Sequence, residues 1–331
     1  MTSPAQQMQF SAAPPERLLR SAIRRMRPYI ASDPGFMEQN ARGIVADLRQ
    51  TFPDLAPPEA PLGDAARIFS KAGLLKLGTF VGPEKIADIR AHFADKTVVY
   101  ENENRDYVGE GPVDAAPANT FVANHGIRDI LTCPHLVDIA NDPAILSIVR
   151  GYLGFEPIID TYSVWHSYAG RGIPGSPQTL HRDKDCFRFC KLFVYLSDVD
   201  EESGPHVYLP NSHRPDRFAE LYRASTNDQH NPLQFFVGGQ RNHAAYLEQV
   251  FAGRFEHLTG PAGSSFLVNT YGLHKGEPPK SRNRMLFQVL YTLLPYGDVM
   301  GTATGALPLK ELPTHCAPTP DFMYRNQLYI C

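Results

Sequence analysis

The chain has 331 residues, with 32 Lys and Arg against 35 Asp and Glu, a formal charge of −3. This near-balance excludes the broad basic excess of a nucleic-acid binder, and no run approaches the roughly eighteen apolar residues that a membrane span needs. The 5 cysteines are an odd number without CxxC spacing, which argues against a disulfide scaffold or zinc ribbon and favours a reducing compartment, the cytoplasm.

Met1–Phe10 is polar and has no apolar core of the kind a secretory signal carries. Arg17–Arg27 alternates five arginines with Leu18, Leu19, Ala22, Ile23 and Met26. It reads as a surface helix with a solvated arginine face, although an organelle transit peptide has a similar pattern. Met37–Arg49 reads as a second helix, and the Pro-rich stretch Phe52–Pro61 as a linker. The organisation expected is a helical N-terminal extension and linker over 1–64, then a main domain over 65–331.

Leu74–Val81 has strand character, and Gly82-Pro83-Glu84 opens a helix that puts Ile86, Ile89 and Phe93 on one face. Glu101–Thr120 is polar and Gly-rich and reads as a loop. Pro134–Ala140 and Pro143–Leu153 read as helices, the second capped by Asp142 and stopped by Gly154. From Ile158 the apolar period changes to two. Ile158–Tyr168, Phe189–Val199, Val207–Leu209, Ser265–Asn269 and Met285–Leu294 read as strands, with Gly170–Ser176 a loop and Glu201–Pro205 a turn. A helical first third followed by punctuated strands predicts an α+β protein whose second half is an antiparallel barrel or jelly roll.

Within that half, His181-Arg182-Asp183 places an imidazole and a carboxylate two residues apart. On a strand these share a face, and Arg182 points the other way. His274, in Tyr271-Gly-Leu-His-Lys-Gly276, is the best second imidazole. Two His and one Asp occupy one face of an octahedron and leave the opposite face open, the ligand set of non-haem Fe(II) oxygenases. A structural zinc site would be closed by four ligands. Arg284 stands at the mouth of the last strand, where a guanidinium can grip a carboxylate with two parallel hydrogen bonds. Arg282 is the competing choice, and Arg284 is preferred because it directly precedes the strand.

In these residues the sequence resembles the phytanoyl-CoA dioxygenase family of Fe(II)- and 2-oxoglutarate-dependent oxygenases. The resemblance spans roughly Leu74 to Leu294 and is densest in Gln178-Thr-Leu-His-Arg-Asp183, Lys191–Val199 and Gly204-Pro-His-Val-Tyr-Leu-Pro-Asn-Ser-His213. It implies a double-stranded β-helix (jelly-roll, cupin-like) core with flanking helices. It implies Fe(II) held by His181, Asp183 and His274, the distal carboxylate of 2-oxoglutarate on Arg284, and further contacts to that co-substrate from Gln178 and His206. It also implies O2 as oxidant, and hydroxylation of an aliphatic C–H bond of a small-molecule substrate with release of succinate and CO2. Leu180 stands where relatives often have Trp, and Gly276 where many have Ser. Asp183 disfavours halogenation, since halogenases of this fold replace the carboxylate with a small residue.

His213 resembles a ligand but belongs to a turn in the family pattern. His166 either lines the pocket or sits in the core. His92, His125, His135, His230, His243, His257 and His315 belong to no constellation. Cys186 and Cys190 are read as buried apolar residues. The insertion 214–256 is rich in aromatics and arginines. It is expected to help cover the substrate, with helical decoration or a subunit contact as the alternatives. Two other function classes remain at this point, a non-catalytic ligand-binding barrel and a cupin-type metalloenzyme that does not use 2-oxoglutarate. The substrate and oligomeric state are open.

Overall fold

The computed structural model describes residues 34–58, 62–171, 178–237, 243–295 and 306–331. The expected helix Arg17–Arg27 and most of the loop Gly170–Ser176 lie outside these residues. Helix α1 (Pro34–Thr51) includes the expected Met37–Arg49 segment and lays Met37 and Ala41 into the core. Arg49 donates to the Gly154 carbonyl at 3.0 Å, and Glu38 pairs with Arg188 at 2.9 Å, which fastens α1 to the rest of the chain. Helix α2 (Asp64–Ala72) ends at Gly73, with a left-handed φ of 72°. A Cβ there would collide with the Tyr208 hydroxyl, so only glycine closes this turn.

Strand β1 (Leu74–Thr79) and helix α3 (Pro83–Phe93) follow, and Ile86, Ile89 and Phe93 are buried as their spacing predicts. The expected loop Glu101–Thr120 is corrected by the structure. Strand β2 (Val98–Glu101) ends at its first residue, β3 (Tyr107–Gly111) lies inside it, and β4 (Val122–His125) comes just after it. β3 is an edge strand with β2 as its one partner. An edge strand needs no apolar face on both sides, which is why its Gly- and Glu-rich composition hid it.

Three helices then pack on one face of the sheet: α4 (Ile127–Leu131), α5 (Leu136–Ala140) and α6 (Pro143–Leu153). α5 starts two residues later than its pattern predicts, because His135 takes a left-handed φ of 72°. Asp142 caps α6 by accepting from the amides of Ala144 at 2.8 Å and Ile145 at 3.3 Å. Such a cap contributes about 1 kcal/mol. Gly154, at φ 87°, stops the helix.

The strands of the second half are β5 (Ile158–Ser167), β6 (Phe189–Tyr195), β7 (His206–Tyr208), β8 (Glu256–Leu258), β9 (Ser264–Val268), β10 (His274–Gly276) and β11 (Arg284–Thr292). They form two antiparallel sheets. The larger has eight strands in the order β1-β9-β6-β11-β5-β4-β2-β3, and the smaller has the order β10-β7-β8. On the large sheet, Phe193, Tyr195, Phe266 and Leu286 share an apolar cluster with Tyr208 and Leu258 of the small sheet. The alternate residues Leu192, Val194, Phe287 and Val289 belong to the larger cluster that includes the helices. Period-two alternation thus separates a helix-packed face from a face turned to the small sheet.

The insertion 214–256 contains helices α7 (Pro215–Ser225), α8 (Gln234–Val237) and α9 (Ala244–Val250). Phe218, Tyr222, Phe235, Leu247 and Phe251 are buried in the main core. The last helix, α10 (Pro320–Asn326), returns to α6 and β5, where Arg325 and Arg150 both grip the buried carboxylate of Glu156. Pairing of this kind is what makes a buried acid tolerable.

Candidate active site

His181 and His274 meet across an isolated antiparallel bridge, with His181 N donating to His274 O at 2.9 Å and the reverse bond at 3.0 Å. This corrects the expected geometry, because Asp183 lies beyond the bridge in a non-strand segment. One hydrogen bond, from Asp183 N to Thr270 O at 2.8 Å, keeps that segment extended beside the β9–β10 connection. The carboxylate still returns to the side of the imidazole two residues earlier.

The three side chains converge. His181 Nε2 is 3.4 Å from Asp183 Oδ1, and His274 Nε2 is 3.4 Å from Asp183 Oδ2. One ligand atom from each of the three residues lies within 4.8 Å of the others, so the cluster is compact enough to share an ion. Each imidazole is oriented by its other nitrogen. His181 Nδ1 donates to Thr179 O at 2.7 Å and His274 Nδ1 to Gly272 O at 3.0 Å, so each Nε2 presents a lone pair to the centre. Burial and the His181 ring keep His274 below the usual histidine range. Burial works against the Asp183 anion, but Lys191 and the two imidazoles outweigh it and hold its carboxyl well below the usual range. Two imidazole nitrogens and an ionised carboxylate form a donor set suited to a divalent cation.

Three cationic neighbours of the ligands had no contacts assigned from sequence. Arg182 does point away from the ligands, as expected. Its Nη1 donates to Ser212 O at 2.6 Å and Tyr271 O at 2.7 Å, and its guanidinium lies 4.8 Å from the Phe218 ring centroid. It therefore ties the segment between the two ligands to helix α7 of the insertion. Lys275, next to His274, reaches Glu248 of α9 at 3.2 Å. Phe218 and Glu248 of the insertion thus lie against the backs of the ligand-bearing segments, whichever surface its remaining residues cover. Lys191 on β6 points inward and pairs with Asp183 at 2.7 Å and Asp185 at 2.8 Å.

Arg284 begins β11 and is 4% exposed, whereas Arg282 is a surface residue paired with Asp200. Arg284 Nη2 is 3.4 Å from Ser167 Oγ, while Nε and Nη1 are buried without a partner. Burial lowers its pKa, with Tyr195 and Glu277 opposing the shift. Orphaned N–H groups on a buried guanidinium are costly unless an anion meets them. The space comes from Gly276, where a Cβ would stand 3.1 Å from Arg284 Nη2. The glycine that departs from the family pattern therefore lies directly beside this guanidinium. His206 is buried, stacks on His274 with centroids 5.5 Å apart, and has an orphaned Nε2. Burial, with His274 and Arg284 alongside, keeps it neutral, well below the usual range. Gln178 is buried three residues before His181.

The inner face of the large sheet continues past Lys191. Ser163, Gln288 and Phe193 stand side by side on β5, β11 and β6. Ser163 and Gln288 are part-exposed, Gln288 in an otherwise buried β11, and among the described residues neither side chain has a hydrogen-bond partner.

The remaining histidines are elsewhere. His213 is held by Ser70 O at 3.1 Å, in its turn. His166 lies on the helix-packed face, its Nε2 3.1 Å from His125 Nε2. Burial lowers both, His125 to about 3 and His166 to about 4, so the pair shares its hydrogen bond as neutral rings. Cys186 and Cys190 are buried, unpaired thiols. Among the described residues one other group has metal-ligand geometry, Glu201, His257 and Glu277, and two of these three are exposed.

The sequence model of one family, phytanoyl-CoA dioxygenase (PhyH), matches residues 69–285. No curated protein matches the chain. Solved structures similar to it include the non-heme alpha-ketoglutarate-dependent carbocyclase SnoK from nogalamycin biosynthesis, 17% identical with a TM-score of 0.48 over 73% of this chain and 90% of that one. EctD from S. alaskensis, with 2-oxoglutarate and 5-hydroxyectoine, is 16% identical with a TM-score of 0.45, over 74% and 83%. HygX from Streptomyces hygroscopicus, with nickel, 2-oxoglutarate and hygromycin B, is 15% identical with a TM-score of 0.41, over 81% and 95%.

Proposed function

This chain belongs to the phytanoyl-CoA dioxygenase family, and on that premise we propose that His181, Asp183 and His274 hold iron, that Arg284 with His206 and Gln178 holds 2-oxoglutarate, and that a small molecule is hydroxylated beside them. It is an Fe(II)- and 2-oxoglutarate-dependent dioxygenase that uses O2. The observation that carries the residue assignments is the pairing of two features. Two imidazole nitrogens and a carboxylate converge on one point, and a buried arginine with two orphaned nitrogens stands near the second imidazole's strand. A metalloenzyme without 2-oxoglutarate gives that arginine no partner, and a non-catalytic barrel gives the three converging ligands no role.

When bound, Fe(II) with 2-oxoglutarate and O2 supplies the oxidising chemistry, with succinate and CO2 as co-products. The chain's own contribution is positional. His181, Asp183 and His274 would hold the iron, a set of three donors rather than the four that close a structural zinc site. Arg284 receives the distal carboxylate in a buried position where a charge-assisted pair is strong. His206, neutral and stacked on His274, offers its free Nε2 to the co-substrate. Ser163 and Gln288 offer hydrogen bonds to a substrate, which favours one bearing hydroxyl or amide groups over a plain hydrocarbon. The two sheets enclosing this space support a double-stranded β-helix core. Five unpaired cysteines support a reducing compartment, the cytoplasm.

The test is a substrate screen with Fe(II), 2-oxoglutarate and ascorbate, read as succinate and as product mass. The expected result is succinate formation that rises with one class of polar small molecule, whose mass increases by one oxygen. Succinate formation unaffected by removal of 2-oxoglutarate or by iron chelation would overturn the reading.

A further inference from the structure

β6 is an uninterrupted buried run, Phe189–Tyr195, and Lys191 is its one ionisable amine. Its side chain reaches the inner face and ends 2.7 Å from Asp183 Oδ2 and 2.8 Å from Asp185 Oδ2. A buried ammonium persists only where acids repay its lost hydration. Here two acids converge on it, and one of them is the carboxylate assigned above to the metal.

We propose that Lys191 is a positioning residue that holds one oxygen of Asp183 so that the carboxylate meets the metal through the other oxygen alone. This inference rests on the metal-site reading above. Its physical basis is the count of coordination positions. Two imidazoles and a monodentate carboxylate leave three positions of an octahedron for a bidentate 2-oxo acid and dioxygen. A bidentate Asp183 would leave two. An ammonium donating to Oδ2 reduces the donor strength of that oxygen and fixes the plane of the carboxylate. Asp185 supplies the second anchor, so that Lys191 is aimed at Asp183 and its charge is balanced apart from the metal. The arrangement is an outer-shell contact, and loss of such contacts costs about 10–100-fold in metal affinity.

The opposite sign is expected from electrostatics alone. A cation beside the site repels a divalent ion, so its simple removal tightens binding. Mn(II) titration of the full-length apoprotein, followed by the electron paramagnetic resonance of free Mn(II), separates the two. Lys191→Met, which keeps length and removes the charge, is expected to weaken Mn(II) binding about 10–100-fold. Affinity that is unchanged or tighter overturns the inference. Should Lys191→Met fail to fold, as judged by circular dichroism, Asp185→Asn at its part-exposed position serves instead. It is expected to weaken Mn(II) binding several-fold, and an unchanged affinity overturns the inference. Asp183→Ala is the control for the underlying reading. If it binds Mn(II) as the parent does, the metal site and this inference fall together. If it loses binding while Lys191→Met does not, the inference alone falls.

Discussion

Asp183→Ala is expected to form no succinate and to lose Fe(II) affinity by more than the ~10–100-fold that removal of an outer-shell partner costs. The substitution deletes the one anionic donor of the three. Two imidazoles remain, 4.2 Å apart between ring centroids, and neither supplies a negative charge to compensate that of a divalent ion. The fold is expected to survive, because Lys191 keeps Asp185 at 2.8 Å as a partner for its ammonium. Iron content after anaerobic loading and gel filtration, beside a circular dichroism spectrum, checks both halves of this expectation. A folded variant that retains stoichiometric iron and turns over 2-oxoglutarate would remove Asp183 from the site.

Arg284→Met is expected to raise the 2-oxoglutarate requirement sharply while leaving Fe(II) binding unchanged. Truncating one partner of a buried charge pair costs about 2–5 kcal/mol, which corresponds to roughly 30-fold or more in affinity. The apoprotein should lose little stability. Without its anion Arg284 is a buried cation with Nε and Nη1 unsatisfied, so a neutral side chain of similar length removes a liability as well as a ligand contact. Steady-state titration of 2-oxoglutarate together with a thermal melt of the apoprotein reads both effects. An unchanged requirement would refute the assignment of Arg284. Arg282 is a poor replacement, because it is exposed and already paired with Asp200.

The convergence of His181, Asp183 and His274 was legible in sequence because the chemistry proposed for them is strict. Few residue types bind iron, and His181, Asp183 and His274 sit in segments whose local pattern is distinctive. The mechanism of convergence was not legible. Period-two alternation predicted a strand, whereas a single bridge at His181 and one backbone bond at Asp183 do the work. Arg284 was distinguishable from Arg282 by its place at the strand mouth, a matter of register. Lys191 was missed although its signal was present. A lysine inside the apolar run Phe189–Tyr195 must be paired if it is buried, and acids at Asp183 and Asp185 stood within eight residues. Strands β2, β3 and β4 were harder. They are four or five residues long, and their pairing is fixed by partners across the sheet that no local pattern announces. The role of Arg182 required tertiary contacts, since Ser212, Tyr271 and Phe218 lie 30 or more residues away along the chain.

Where a metal settles when one is supplied decides between a site at the two imidazoles and one elsewhere. Crystals grown anaerobically with Mn(II) and 2-oxoglutarate, with an anomalous difference map at the manganese edge, test it most directly. The expected result is a single strong peak bounded by His181 Nε2, His274 Nε2 and one oxygen of Asp183, with 2-oxoglutarate reaching from the ion to the Arg284 guanidinium. A peak at Glu201, His257 and Glu277 with none between the two imidazoles, or a co-substrate bound away from Arg284, would contradict it.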